Sequence, residues 1–213
     1  MKIALIGTTG FVGSKILAEA LQRGHQVTAL VRDPAKLAPQ AGVTALAVDV
    51  ADAGQVARAV ADHDAVVSAF NAPRGNPEFR TIYVSAVRAI IGGVKRSGVK
   101  RVLLVGGAGS LFVAPGVQLV DTPQFPAEYR MEAQAAREAL NMIRDEASLD
   151  WSFISPAPIL APGQRTGRFR LGGEQVLLNG DKPGNISVED LAVAIVDELE
   201  TPRHPRQRFT LAY

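Results

Sequence analysis

Cysteine is absent from this 213-residue chain. That excludes disulfides, thiol catalysis, and zinc or iron–sulfur centres held by cysteine. Histidine is scarce: His25, His63 and His204 lie far apart and form no metal-ligand spacing. No apolar run approaches the ~20 residues that a membrane span needs. The opening segment is strand-like rather than a signal peptide, because Lys2 is followed by only four apolar residues before a glycine. A charge of one sign is also missing, since 23 basic against 21 acidic residues leave a net +2. The densest basic cluster (Arg203, His204, Arg206, Arg208) suits a solvated surface. The expectation is therefore a cytoplasmic protein with no nucleic-acid partner and no membrane. The composition, 47% apolar and 21% charged, is that of an ordinary globular chain. Its length suits one domain around one core with a small lobe added.

What is present is concentrated at the start. An apolar run, Ile3 to Ile6, ends in Gly7-Thr8-Thr9-Gly10-Phe11-Val12-Gly13, and a helical pattern follows at once. Three glycines spaced three apart, after a strand and before a helix, match a dinucleotide-binding turn. Gly7 permits the sharp turn, Gly10 lets the backbone approach a pyrophosphate, and Gly13 lets the helix pack against the strand. The helix N-terminus offers free N–H groups and a positive dipole end to phosphates. Thr8 and Thr9 can add hydroxyl donors.

Strand-like and helical patterns then alternate, the signature of an α/β fold with a parallel sheet. Helices are expected over 11–23, after Asp52 as cap, over 77–97, 126–147 and 188–199. The last is opened by Ser187 with Asp190 three residues on. Strands are expected over 26–31, 44–48, 65–70, 101–105, 151–154 and 209–212. Residues 110–126 lack periodicity and read as a long loop, and 156–187 as irregular structure with short strands. In a doubly wound sheet, the ends at Gly7–Gly13, Arg32, Asn71 and Gly106–Ser110 should converge on one crevice.

The second strand ends Val31-Arg32-Asp33-Pro34. An acid there would bind a ribose 2′-OH and repel a 2′-phosphate, whereas Arg32 accommodates the phosphate. NADP(H) is thus favoured over NAD(H). Asp33, followed by proline, suits a turn, and Lys36 a solvated helix position. Asp49, with Val50 beside it, either accepts from the adenine amino group or makes a local turn.

The chain resembles the atypical short-chain dehydrogenase/reductases, in the branch of NADH-flavin reductases and NAD(P)H-binding proteins related to biliverdin reductase B and the NmrA-like proteins. The segments that carry the likeness are Gly7–Gly13, Leu30–Pro34, Asp49-Val50, Phe70-Asn71-Ala72, Val105–Leu111, Pro126–Tyr129, Ile154–Ala157, Gly163–Gly173 and Ile186–Asp190. The resemblance implies one Rossmann domain over 1–213, with about 156–187 forming a small substrate lobe. It implies a cofactor over Gly7–Val12, with Phe70, Asn71, Ala72, Gly106 and Gly107 near the ribose and nicotinamide. Ser155, Pro156, Ala157 and Pro158 would border the nicotinamide and a substrate pocket.

One departure matters. The commoner dehydrogenases of this type use Tyr-x-x-x-Lys, the lysine lowering the tyrosine pKa for proton transfer. Here Tyr129 is followed by Arg130-Met131-Glu132-Ala133, and no other tyrosine supplies the pair. Biliverdin reductase B-like proteins place a serine by the nicotinamide; Gly107 aligns there, with Ser110 three residues later. Ser110 and Tyr129 are the candidate catalytic residues. Tyr129 either stacks on the substrate or sits at a core boundary. Hydride transfer to a flavin needs little acid–base machinery. The expected function is hydride transfer from NADPH to a planar acceptor such as a flavin or quinone. The alternative is an NmrA-like NADP-binding sensor without turnover; a nucleotide-sugar epimerase fits less well. No helix is apolar all round, so monomer and homodimer stay open.

Overall fold

A computed structural model describes residues 1–213. The first half of the chain alternates strand and helix: β1 (Lys2–Ile6), α1 (Gly13–Gln22), β2 (Gln26–Val31), β3 (Val43–Ala47), α2 (Ala53–Val60), β4 (Ala65–Ser68), α3 (Phe79–Ser97) and β5 (Arg101–Val105). A small hairpin follows, β6 (Phe112–Ala114) and β7 (Val117–Gln118), then α4 (Ala127–Arg144) and β8 (Asp150–Pro156). The lobe segment carries β9 (Ile159–Ala161), β10 (Arg170–Gly172), β11 (Leu178–Asn179), β12 (Lys182–Pro183) and β13 (Asn185–Ser187). The chain closes with α5 (Val188–Glu200) and β14 (Gln207–Ala212).

Eight strands form one sheet in the order β10-β14-β8-β5-β4-β1-β2-β3. All neighbours run parallel except β10, which is antiparallel to β14. β1 pairs with both β2 and β4, so the winding reverses there. This is a Rossmann-like doubly wound sheet, and ligands in such sheets bind beyond the strand C-termini at that reversal.

Both faces of the sheet are covered, which is why the central strands are apolar without alternation. Ala4 and Ile6 of β1 join one core with Val56 of α2, Ile90 of α3 and Leu140 of α4. Ile3 and Leu5 join the other, with Ile16 of α1 and Leu191 and Ile195 of α5. α2 and α3 touch closely because Gly93 has no side chain: a Cβ there would lie 2.6 Å from Val56 Cβ.

Local chemistry sets the element ends. The Asp52 carboxylate accepts from the Gly54 and Gln55 N–H groups and opens α2. Ser187 accepts from Asp190 N and opens α5. α3 stops at Gly98, whose φ of +86° is the left-handed conformation glycine supplies. Asp33 starts a short 3₁₀ turn over Pro34–Lys36 by accepting from Ala35 N, as the Asp-Pro pair suggested.

Residues 110–126 differ from the long loop expected. They hold β6 and β7 and end a 3₁₀ turn, Ala108–Ser110, with a second at Leu119–Asp121. β6 is anchored from the lobe: Phe112 N donates to Glu174 O, and Val176 N donates to Phe112 O. Those partners lie about sixty residues downstream, so no local periodicity announces the hairpin.

Candidate functional site

The C-termini of β1, β2, β4 and β5 lie on one edge of the sheet, because their ladders run parallel and in step from Lys2↔Gln26 to Ser68↔Leu104. The glycine turn sits at the centre of that edge. Gly7 has φ +84°, and a Cβ there would lie 2.4 Å from the Ala69 carbonyl oxygen. A Cβ on Gly13 would lie 2.0 Å from the Gly7 carbonyl oxygen, so only glycine lets α1 start this close to β1. Gly10 is different: its missing Cβ would meet only the Gly7 oxygen, at 3.2 Å, and the residue is exposed. Gly10 therefore leaves an open cradle.

The donors around that cradle are unused. α1 has no side-chain cap and no acid in its first turn. The N–H groups of Phe11, Val12 and Gly13 find no acceptor in the chain, while Ser14 N already donates to Gly10 O. Orphan donors at a helix start, beside an open glycine, fit a pyrophosphate. Thr9 is exposed there. Thr8 is buried, and its hydroxyl has no partner within the chain.

The flanking strand ends complete the edge. Arg32 is exposed and makes no hydrogen bond or ion pair within the chain. Lys36 is 80% exposed, near Asp33 at 3.9 Å, and remains a solvated residue. Asp49 makes the local turn, accepting from Ala51 N, and its own N–H donates to Gln55 Oε1. Val50 is half-buried beside it. After β4, Phe70 is half-buried against Tyr83, Asn71 is exposed and Ala72 is buried. Gly106 is forced by packing, because a Cβ there would lie 2.1 Å from the Phe153 ring. Gly107 follows in extended backbone, with open space up to Ala136 Cβ at 4.0 Å. At the end of β8, Ser155, Pro156 and Ala157 are buried and Pro158 half-buried.

Helix α4 overhangs this edge. Tyr129, Glu132, Ala133 and Ala136 share the face that, lower down, buries Leu140 and Ile143. Ala133 packs on Gly109, whose Cβ would come within 2.6 Å of it, and Ala136 lies over Gly107. At the start of the helix Tyr129 is 50% exposed although it lies on the core-facing stripe. Position 133, where a Tyr-x-x-x-Lys pattern would place lysine, is thus an alanine in close contact with the Ala108–Ser110 turn.

The two catalytic candidates separate. Tyr129 stays exposed in the first turn of α4. Ser110 does not: it is 2% exposed, and Arg208 Nη1 donates to its hydroxyl at 3.3 Å. Arg208, whose side chain is fully buried, also binds the Glu174 carboxylate, which Arg144 Nη2 holds at 2.7 Å. Burial pushes the Glu174 carboxyl up, but hydrogen bonds from the two arginines outweigh it and hold the group below the usual range. Ser110 thereby becomes a strut tying the Ala108–Ser110 turn to β14 and the lobe. Sequence spacing put it near the strand end, but nothing local reveals an arginine 98 residues away.

The lobe is also tied to α1. Glu19 accepts from Arg165 Nε at 2.7 Å, and Lys15 Nζ lies 3.1 Å from Glu189, which in turn accepts from Gly163 N. An open groove of about 820 Å3 lies on the lobe, lined by Ile159, Gly163, Thr166, Arg168, Ser187 and Tyr213 among others. None of its lining residues belongs to the glycine turn. No group of three or more His, Cys, Asp or Glu residues is arranged to hold a metal, and no helix is long and apolar enough to cross a membrane.

Two further residues at the cleft were not singled out from sequence. Glu132 lies one helical turn from Tyr129, and Arg74, from the segment after β4, reaches it with Nε 3.5 Å from its carboxylate. They lie 58 residues apart, so only the fold brings them together.

Residues 7–202 match the model of a family described as NAD(P)H-binding. Three solved structures are similar over their length. A Burkholderia pseudomallei exported protein is 46% identical, with all of both chains covered and a TM-score of 0.89. A Bacteroides thetaiotaomicron epimerase is 43% identical, with 100% of this chain and 96% of that chain covered and a TM-score of 0.92. A Streptococcus pneumoniae NADH-flavin reductase is 33% identical, covering 100% and 99%, with a TM-score of 0.87. Each of the three names carries the prefix "putative".

Proposed function

The chain belongs to the NAD(P)H-binding family, and we propose that it transfers a hydride from NADPH to a planar acceptor such as a flavin or quinone. The observation that carries this reading is the pairing of an open phosphate cradle with a site that has neither a Tyr-x-x-x-Lys pair nor an accessible serine. The free N–H groups of Phe11, Val12 and Gly13 lie at the point of winding reversal. Beside them the cleft offers an exposed tyrosine and glycine backbone. It has no lysine at position 133 and no accessible serine at 110.

In this reading the cradle holds the pyrophosphate and Arg32 holds the 2′-phosphate. Asp49 and Val50 flank the adenine. Asn71 and Ala72 lie by the ribose, and Gly106 and Gly107 form the floor under the nicotinamide. Ser155 to Pro158 close the far side. The nicotinamide, when bound, supplies the hydride. The chain's own task is to orient two rings face to face, which alone accounts for a large part of such catalysis. Tyr129 supplies an apolar face and a hydroxyl at the open side. Water supplies the proton, so no buried general acid is required. The Streptococcus pneumoniae relative, named for NADH-flavin reduction, supports an acceptor of this class.

The test is oxidation of NADPH and of NADH in parallel, with FMN, riboflavin and a simple quinone as acceptors. NADPH turnover well above NADH is expected, and Arg32→Ala should reduce that preference without harming NADH turnover. Tight NADP(H) binding with no turnover on any acceptor would overturn the reductase reading and favour a cofactor-binding sensor.

A further inference from the structure

The mouth of the cleft carries a cation that the proposed hydride transfer leaves unexplained. Arg74 follows β4 and is 72% exposed, yet its guanidinium is not adrift. Its Nε lies 3.5 Å from the Glu132 carboxylate, and Glu132 is only 23% exposed. Glu132 is three residues past Tyr129 on the same face of α4, and that face looks down on Gly107 and Gly109. Arg74 therefore reaches the first turns of α4, at a residue one helical turn from Tyr129.

The neighbouring arginines are engaged. Arg130 donates to Val120 O at 2.6 Å and Phe125 O at 3.1 Å. Arg80 donates twice to Glu138, and Arg137 binds Asp121 and Gln118. Arg74 makes no hydrogen bond at all; its only polar contact is the long ion pair through Nε, and its two terminal nitrogens are unused. A long, solvated ion pair is weak. The contact engages only Nε and leaves the planar fork open, and such a fork matches a carboxylate or phosphate bidentately.

Resting on the hydride-transfer reading above, we propose that Arg74 selects acceptors bearing an anionic tail, of phosphomonoester chemistry, beside the planar ring. The ring lies against Tyr129 and the tail reaches the guanidinium at the mouth. Glu132 is a positioning residue: it holds Arg74 across the cleft and, by its own charge, sets how tightly the tail is taken.

FMN and riboflavin share one ring system and differ by the phosphate, so they isolate this contact. Flavin fluorescence quenching would give the Kd of each for the NADP⁺-saturated protein, with NADPH-oxidation KM values measured alongside. Wild type should bind FMN about tenfold more tightly than riboflavin, the usual worth of one charge-assisted contact. Arg74→Ala should abolish that ratio by weakening FMN alone, Arg74→Lys should keep part of it, and Glu132→Gln should raise it. NADP⁺ affinity should stay unchanged in all three. Equal affinities in wild type would overturn the proposal, as would an Arg74→Ala loss shared by both flavins. A raised NADP⁺ Kd with the flavin ratio intact would reassign Arg74 to the cofactor. Riboflavin turnover without FMN preference sinks this inference alone; absence of both binding and turnover with either flavin sinks the reductase reading with it.

Discussion

Replacing Gly13 by alanine separates packing at the phosphate turn from helix propensity. In an open helix position, glycine to alanine stabilises by about 0.8–1 kcal/mol. At Gly13 the added methyl would sit 2.0 Å from the Gly7 carbonyl oxygen and 2.6 Å from its carbon, all backbone atoms. Ordinary contact begins near 3.4 Å, so α1 must retreat by about 1 Å at its first turn. Overpacking that forces a backbone shift costs about 1–3 kcal/mol. The net expectation is a loss of about 1 kcal/mol, and for a chain of this size that lowers Tm by roughly 2–4 °C. The same shift carries the Phe11–Gly13 donors away from a bound phosphate, so NADPH should bind at least about tenfold more weakly, a loss of about 1.4 kcal/mol. Thermal unfolding followed by circular dichroism, with NADPH titrated by its fluorescence, reads both effects. A Tm that rises, with unchanged NADPH affinity, would refute the claim that close approach at Gly13 builds the turn.

Other perturbations test neighbouring parts of the fold. Gly92 and Gly93 are adjacent in α3 yet should respond with opposite sign. A Cβ on Gly92 meets only Ala53 Cβ at 3.9 Å, so Gly92→Ala should raise Tm by roughly 2–4 °C. Gly93→Ala places its methyl 2.6 Å from Val56 and should lower Tm; equal shifts would contradict the packing described. Hydrogen bonds from the Ser148 hydroxyl and N–H hold the Glu146 carboxyl at about 2, with Lys95 adding to them. The folded pKa lies below the unfolded one, so this stabilisation is present above about pH 4.5 and disappears as pH falls toward 2. Ser148→Ala should therefore shrink the difference between urea midpoints at about pH 6 and pH 3, and an unchanged difference would count against it. Glu174→Gln removes the charge between Arg208 and Arg144, and leaving Arg208 buried and unpaired should cost about 3 kcal/mol in urea unfolding. A neutral outcome would show that Arg208 finds another partner.

Legibility tracked sequence distance. β2 and β5 lie where the apolar runs placed them, and Asp52 and Ser187 cap the helices they were expected to cap, because those signals are local. The turn at Gly7–Gly13 was readable for the same reason: strand, glycine and helix propensity agree within one segment. Tertiary choices were hidden. The two- and three-residue strands of 112–118 depend on backbone partners at 174–176. Ser110 is buried against Arg208, and Thr8 is buried with its hydroxyl unpartnered. Glu132 and Arg74 carry no motif, and only the fold brings them together.

Lys15 and Glu19 lie one turn apart on α1, and both clasp the lobe, through Glu189 and Arg165. The helix whose start carries the proposed phosphate cradle is thus the helix on which the lobe rests. Any shift of α1 on binding a phosphate at its start would be passed to the lobe through these two ties. Thermodynamic reciprocity then governs the pair: by whatever factor NADP(H) changes acceptor affinity, the acceptor must change NADP(H) affinity by the same factor. Cutting both ties should bring that shared factor toward one and leave each affinity alone to its own site.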